Sequence, residues 1–232
     1  MNASRRSRRG VWAGLLLVVV LAAPAYAWWS YGTELTPDSW NEDVVVALVL
    51  PDENGVALPR VIWRGSVRST APGTSSSELA HLDPLAPAQV PDTSYGFLRD
   101  TYSFGGGRGL ARAGAPDAIS PAFLILGPEA WVELTAGGRV ALDIPSQIDV
   151  YDGTRLLTFP VGTSLLSGEE VSALLNGADY LEANERAAIR EQLAAYIFDS
   201  VSNHPGVPEH AETNLTSQRY ERWRGALAAG TW

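Results

Sequence analysis

The sequence predicts an α/β layered domain, and three observations carry that reading. Asp43 to Leu50 (DVVVALVL) is a continuous β-branched and apolar run of strand length, the pattern of a strand covered on both faces. Ile189, Leu193, Tyr196, Ile197 and Val201 recur at spacings of three and four, which marks a helix with one buried side. Between these two segments strand-like and helix-like stretches interleave, as a layered domain requires. With 46% hydrophobic residues and 8 Trp in 232 residues, the chain has the apolar content for one substantial core.

The N-terminus reads as an export segment. Arg5, Arg6, Arg8 and Arg9 form a positive region, Val11 to Ala23 is unbroken apolar chain, and Ala25-Tyr26-Ala27 has the small-x-small form of a signal-peptidase site. Val11 to Trp29 is also 19 residues without a charge, close to the ~20 that span a bilayer, so residues 1–27 are either a cleaved signal peptide or an N-terminal membrane anchor. Both readings place the body outside the cytoplasm. The first acid is Glu34, and without the leader 13 Arg face 26 acids, a net charge of -13. Such a body repels nucleic acid. The absence of Cys and Lys excludes disulfides, thiol nucleophiles and lysine chemistry, and the three scattered His make a His-rich metal site improbable.

After the Asp43 strand, Asn54-Gly55 marks a turn and Val61-Ile62-Trp63 a second, short strand, giving a hairpin. Residues 68–94, with four prolines and a Ser/Thr cluster at Thr74 to Ser77, read as a long surface loop. Gly105-Gly106-Gly107 introduces a short helix around Leu110. With no Walker spacing and no Lys, these glycines read as a loop before a helix and not as a phosphate cradle. Phe123 to Leu126 is a strand, Pro128 to Leu134 a helix closed by Gly137-Gly138, and Val140 to Ile144 an alternating strand. Tyr151 to Thr154 bears a hairpin-turn signal. Ser167 with Glu170 is a capping box that opens a helix through Leu175, and Glu182 to Ser202 is a long helix. Residues 204–232 read as linker with a short amphipathic piece around Arg219 to Leu227, leaving 28–203 as the domain.

The order of these pieces resembles the LytR-CpsA-Psr (LCP) family, known for its cell-envelope-related transcriptional attenuator domain. The similarity is best over residues 103–198, where SFGGGRGLARAG, FLILGPEAWVELTAGGRVALDIP, LLTFPVGTSLLSGEEVSALL and ERAAIREQLAAYIF follow in the family's order, and it continues more faintly over most of 29–203. The resemblance implies a three-layer α-β-α domain with a mixed central sheet. It also implies an extracytoplasmic phosphotransferase that moves a glycopolymer from a polyprenyl-pyrophosphate carrier at the membrane surface to a cell-wall acceptor, with Mg²⁺ as cofactor. That chemistry needs guanidinium forks for the diphosphate, carboxylates for the metal and an apolar slot for the lipid.

Carried over residue by residue, the resemblance assigns Asp43 and Glu34 as metal ligands and Arg64, beside Asp43, as a catalytic phosphate ligand. Arg186, Arg190 and Gln192 fall on the helix that offers Arg and Gln to the pyrophosphate. Two departures stand out. Gly65 replaces the acid that follows the family's arginine, and Asn176 and Ala178 stand where the family has two arginines, so Asn176 is left as a neutral substrate contact. An alternative function is therefore a catalytically degenerate relative that binds envelope lipid or glycan as a scaffold. Read without the family, Asp43 and Arg64 are strand-end residues, and Arg186 and Arg190, among Glu182, Glu185 and Glu191, form a solvated ion-pair face.

Overall fold

The computed structural model describes residues 40–52, 54–71, 74–89, 96–151 and 154–229; the export segment and Glu34 lie outside them. In chain order the elements are β1 (Trp40–Pro51), β2 (Ala57–Ala71), β3 (Thr74–Leu82), α1 (Asp100–Gly114), β4 (Ala122–Leu126), α2 (Pro128–Thr135) and β5 (Val140–Ile144). Then follow β6 (Ile148–Tyr151), β7 (Leu156–Phe159), β8 (Gly162–Leu166), α3 (Gly168–Ala178), α4 (Ala183–Asn203), β9 (Glu212–Thr213) and α5 (Ser217–Ala228). Among the described residues no helix is long and apolar enough to cross a membrane.

The middle layer is a mixed sheet in the order β3-β2-β1-β4-β9, with β1 and β4 parallel and the remaining pairs antiparallel. The continuous apolar run of β1 is explained by cover on both sides. Val44, Val46, Leu48 and Leu50 enter one core with Trp131, Val171, Leu193 and Trp223 from α2 to α5. Val45, Ala47 and Val49 enter a second core with Leu110 and Ala111 of α1. A side chain in such a layer contributes about 1.5–3 kcal/mol by leaving water. The expected three-layer α-β-α arrangement is the one observed.

The β1–β2 hairpin closes at the expected turn, where Gly55 has φ +78° and the Asp52 carboxylate accepts from the amides of Asn54 and Val56 at 2.9 and 2.8 Å. β2 is far longer than Val61 to Trp63. Its register with β1 passes from Leu48↔Val61 to Val49↔Pro59, so Arg60 is the extra residue of a β-bulge, placed next to a proline that has no amide to donate. The surface loop expected over 68–94 is corrected in part. β2 continues to Ala71, and β3 pairs with it from Ile62↔Leu82 to Ala71↔Thr74. As an edge strand, β3 accepts the hydroxyl-rich stretch that hid it from a periodicity reading.

The glycines expected to form a loop before this helix lie within α1, which starts at Asp100, and two of them answer to conformation and packing. Gly106 kinks the helix at φ +55°, and a Cβ on Gly107 would lie 2.4 Å from the ring of Phe123. α3 carries the expected capping box: Ser167 Oγ accepts from the Glu170 amide, and Glu170 Oε2 accepts from the Ser167 amide at 2.8 Å. The short amphipathic helix expected around Arg219 to Leu227 is present as α5, whereas the linker reading of the residues before it is corrected. β9 pairs with β4, and α5 buries Tyr220, Trp223 and Leu227 in the main core, with Trp223 stacked on Trp63 at 5.9 Å between centroids. Three arginines diluted the hydrophobic signal of α5, yet its apolar residues at i, i+3 and i+7 share one face.

Candidate functional site

Two arginine clusters occupy opposite ends of the central strands. The first sits where β1 begins. The β1–β2 register sets Asp43 opposite Ser66 and Val45 opposite Arg64. Asp43 Oδ1 accepts from Arg64 Nε at 3.1 Å, Arg64 Nη2 at 2.8 Å and Ser66 Oγ at 2.6 Å, and Arg68 stands 3.8 Å away. Arg64 also forks onto both oxygens of Asp117, at 2.7 and 3.0 Å, from the loop between α1 and β4. The bond to Asp117, opposed by desolvation and reinforced by Asp43, holds the Arg64 guanidinium above its ordinary range, and Arg64 holds the Asp117 carboxyl below its own. Asp43 and Arg64 are thus brought together as expected; Asp117 had no sequence signal.

Among the described residues, which do not include Glu34, this donor set does not fit Mg²⁺. Among the described residues no group of three acidic, His or Cys side chains gathers, and the Asp43 oxygen nearest the cluster already accepts from Arg64 and Ser66. Two guanidiniums beside two carboxylates leave no excess negative charge for a divalent cation that wants several oxygen ligands. The adjoining Gly65 is held by aromatic rings. A Cβ there would lie 2.9 Å from Trp63 and 3.0 Å from Trp223, whose indole N–H donates to the Gly65 carbonyl at 3.2 Å.

The second cluster lies where β1 ends. Arg190 of α4 is 1% exposed; its Nη2 bonds Asp179 and its Nη1 bonds Asp83 at 3.1 Å. Asp179 also accepts from Arg60, on the β2 bulge, at 3.1 Å and from Arg99, just before α1, at 3.3 Å, while Arg186 stands 3.6 Å from Asp83. Burial pushes Arg190 down to about 10, with Asp179 and Asp83 opposing and Arg186 and Arg60 adding to the fall, so it remains a cation at neutral pH. The bulge is what frees Arg60 to join. Four guanidiniums from three parts of the chain therefore surround Asp83 and Asp179, and Arg99 also stands 4.0 Å from Asp100.

A cleft of about 360 Å³ opens beside this cluster, walled by Arg60, Arg99, Asn176, Asp179, Phe97 and Tyr180, among others. Asp52 on its rim is occupied by backbone amides. A predominantly apolar slot of about 460 Å³ lies between α2 and α3, lined by Leu50, Trp131, Val132 and Ser172 among others. α3 lines both: Ser172 faces the slot and Asn176, one turn on and about 6 Å along the axis, faces the cleft.

Of the expected residues, Arg186 and Arg190 meet through Asp83, and Asn176 lies at the same cleft. They do not converge with Arg64, which is four residues from Arg60 along β2, about 13 Å at strand rise. Gln192 turns elsewhere: its side chain exchanges hydrogen bonds with the backbone of Asp143, at 2.7 and 2.9 Å, and so ties α4 to β5. Two residues apart on a helix, Arg190 and Gln192 face different ways. Ala178 is fully buried, so that position serves the core. Arg60 and Arg99 were missed; the one available signal was Pro59 inside a strand pattern, which marks a bulge.

No protein-family model matches the sequence, and no curated protein matches it significantly. Solved structures do match the fold. B. subtilis TagV is 14% identical with a TM-score of 0.53, over 81% of this chain and 80% of that one. A putative transcription regulator from Eubacterium siraeum is 16% identical with a TM-score of 0.54, over 81% and 75%. TagT, solved bound to LIIa-WTA, is 13% identical with a TM-score of 0.52, over 83% and 76%.

Proposed function

We propose that this chain, whose fold is that of the LytR-CpsA-Psr proteins, is an extracytoplasmic envelope protein that binds a polyprenyl-diphosphate-linked glycopolymer. The observation that carries the proposal is the arginine cleft beside the apolar slot. A diphosphate that joins lipid to sugar carries two negative charges, and the guanidiniums of Arg60 and Arg99, which line the cleft, can meet it with charge-assisted hydrogen bonds, with Arg186 and Arg190 behind them. The slot supplies an apolar surface one helical turn away for the first isoprene units. The arginines absent at Asn176 and Ala178 are replaced in space by Arg60 and Arg99, which approach the same end of α3 from the sheet and from the start of α1. TagT bound to LIIa-WTA, on a like fold, supports this class of ligand, and the basic and apolar leader supports the location.

The test is binding of the full chain, in detergent, to a polyprenyl diphosphate, with the matching polyprenol as control. Arg99→Ala and Arg60→Ala should each weaken binding at least tenfold, since a charge-assisted hydrogen bond contributes about 1.5–3 kcal/mol. Equal affinity of variants and wild type, or of polyprenol and diphosphate, overturns the reading.

The second reading is transfer of the glycan to a cell-wall acceptor. The pairing of Asp43 with Arg64 at the start of β1, as the family resemblance implies, favours it. In that reading Arg64 neutralises a phosphate oxygen while Asp43 and Asp117 hold its fork in place. Turnover of a lipid-linked glycan that vanishes in Asp43→Asn establishes transfer; binding without turnover in the wild type removes it.

A further inference from the structure

We infer that the cleft between the second half of α1 and the loop 115–121 is another anion site, built for a phosphate group carried on a sugar or polyol. Thirteen arginines follow the leader, and eleven have partners: carboxylates, a carbonyl or an aromatic ring. Among the described residues only Arg108 and Arg112 have none. They stand four apart on α1, on one exposed face, where two like charges repel by a few tenths of a kcal/mol unless an anion joins them.

Both line a cleft of about 380 Å³ whose other walls include Ser120 and Asn214 and, among the described residues, no acidic one. The one acid of the loop, Asp117, has both oxygens turned onto Arg64. Asn214 is oriented by the fold: its Oδ1 accepts from the Phe123 amide at 2.9 Å, which leaves its NH₂ as the free, donating end. Two guanidiniums, an amide NH₂ and a hydroxyl that can turn its proton inward make a donor-rich set that suits the three oxygens of a phosphate better than the two of a carboxylate. The volume leaves room for the sugar or polyol. This cleft precedes β4, whereas the arginine cleft of the proposed function follows β1, so the parallel strands hold the two at opposite ends of the sheet.

The experiment titrates the full chain with glycerol 3-phosphate, acetate and glycerol by calorimetry. Glycerol 3-phosphate should bind, acetate at least tenfold more weakly, and glycerol not at all. The double variant Arg108→Gln/Arg112→Gln should lose at least tenfold in affinity with its melting temperature unchanged, because both side chains are exposed. Arg60→Ala/Arg99→Ala should bind glycerol 3-phosphate like the wild type, which separates this site from the diphosphate cleft. Undiminished binding in the Arg108/Arg112 variant, acetate equal to phosphate, or no binding to the wild type overturns the inference.

Discussion

Arg190 shows how a single residue can hold two ends of a fold while keeping its charge out of water. Its two carboxylate partners come from beyond β3 and from the end of α3. Arg190→Met keeps the volume and removes the cation. It should destabilise the protein by about 3 kcal/mol in urea unfolding, the lower end for breaking a buried pair, because Asp179 keeps Arg60 and Arg99. At the first cluster Arg64→Lys replaces a fork with a point charge. The carboxyl of Asp117 should then rise toward its ordinary value, which carboxyl-resolved NMR titration would read. Asp43 and Arg64 became legible through the family resemblance; read without it they are strand-end residues. Asp117, Arg99 and Asp179 were not legible, since each sits in a connecting segment where only tertiary placement gives it a neighbour.

At the scale of elements, whatever had strong local chemistry was readable. The capping box of α3, the Asn-Gly turn and the amphipathic face of α4 rest on neighbouring residues, and each stands where the sequence placed it. Ser167→Ala should cost about 1 kcal/mol, measured by urea unfolding, since it frees an amide of the first turn. The length of β2 and the whole of β3 were not readable, because they depend on which strand lies beside which. Close approach between elements is equally invisible to periodicity. A Cβ at Gly177 would lie 2.4 Å from both Ile148 and Val150, so α3 rides directly on β6. Gly177→Ala should lower the melting temperature even though alanine favours a helix.

On the scale of the whole molecule, the C-terminal residues are part of the domain. Trp223 is fully buried, so Trp223→Ala should cost about 3–5 kcal/mol, and a chain ending at Asn203 should lose its near-UV circular dichroism and bind a hydrophobic dye, as a molten state does. The segment leading to α5 is fastened to α2 through Glu133, whose carboxylate accepts from the Glu209 amide at 3.1 Å and lies 3.2 Å from His204 and 3.5 Å from His210. Desolvation works against the charged form, but the Glu209 amide and His210 prevail and hold Glu133 below its usual value of 4.5. A carboxyl held low stabilises the fold at neutral pH and loses that contribution as pH falls through its folded value. Melting temperature should therefore drop more steeply below pH 4.5 in the wild type than in Glu133→Gln. The stacked indoles also make position 65 a keystone. Any side chain there and the rings of Trp63 and Trp223 compete for one volume, so the absence of a side chain beside Arg64 and the docking of α5 are coupled.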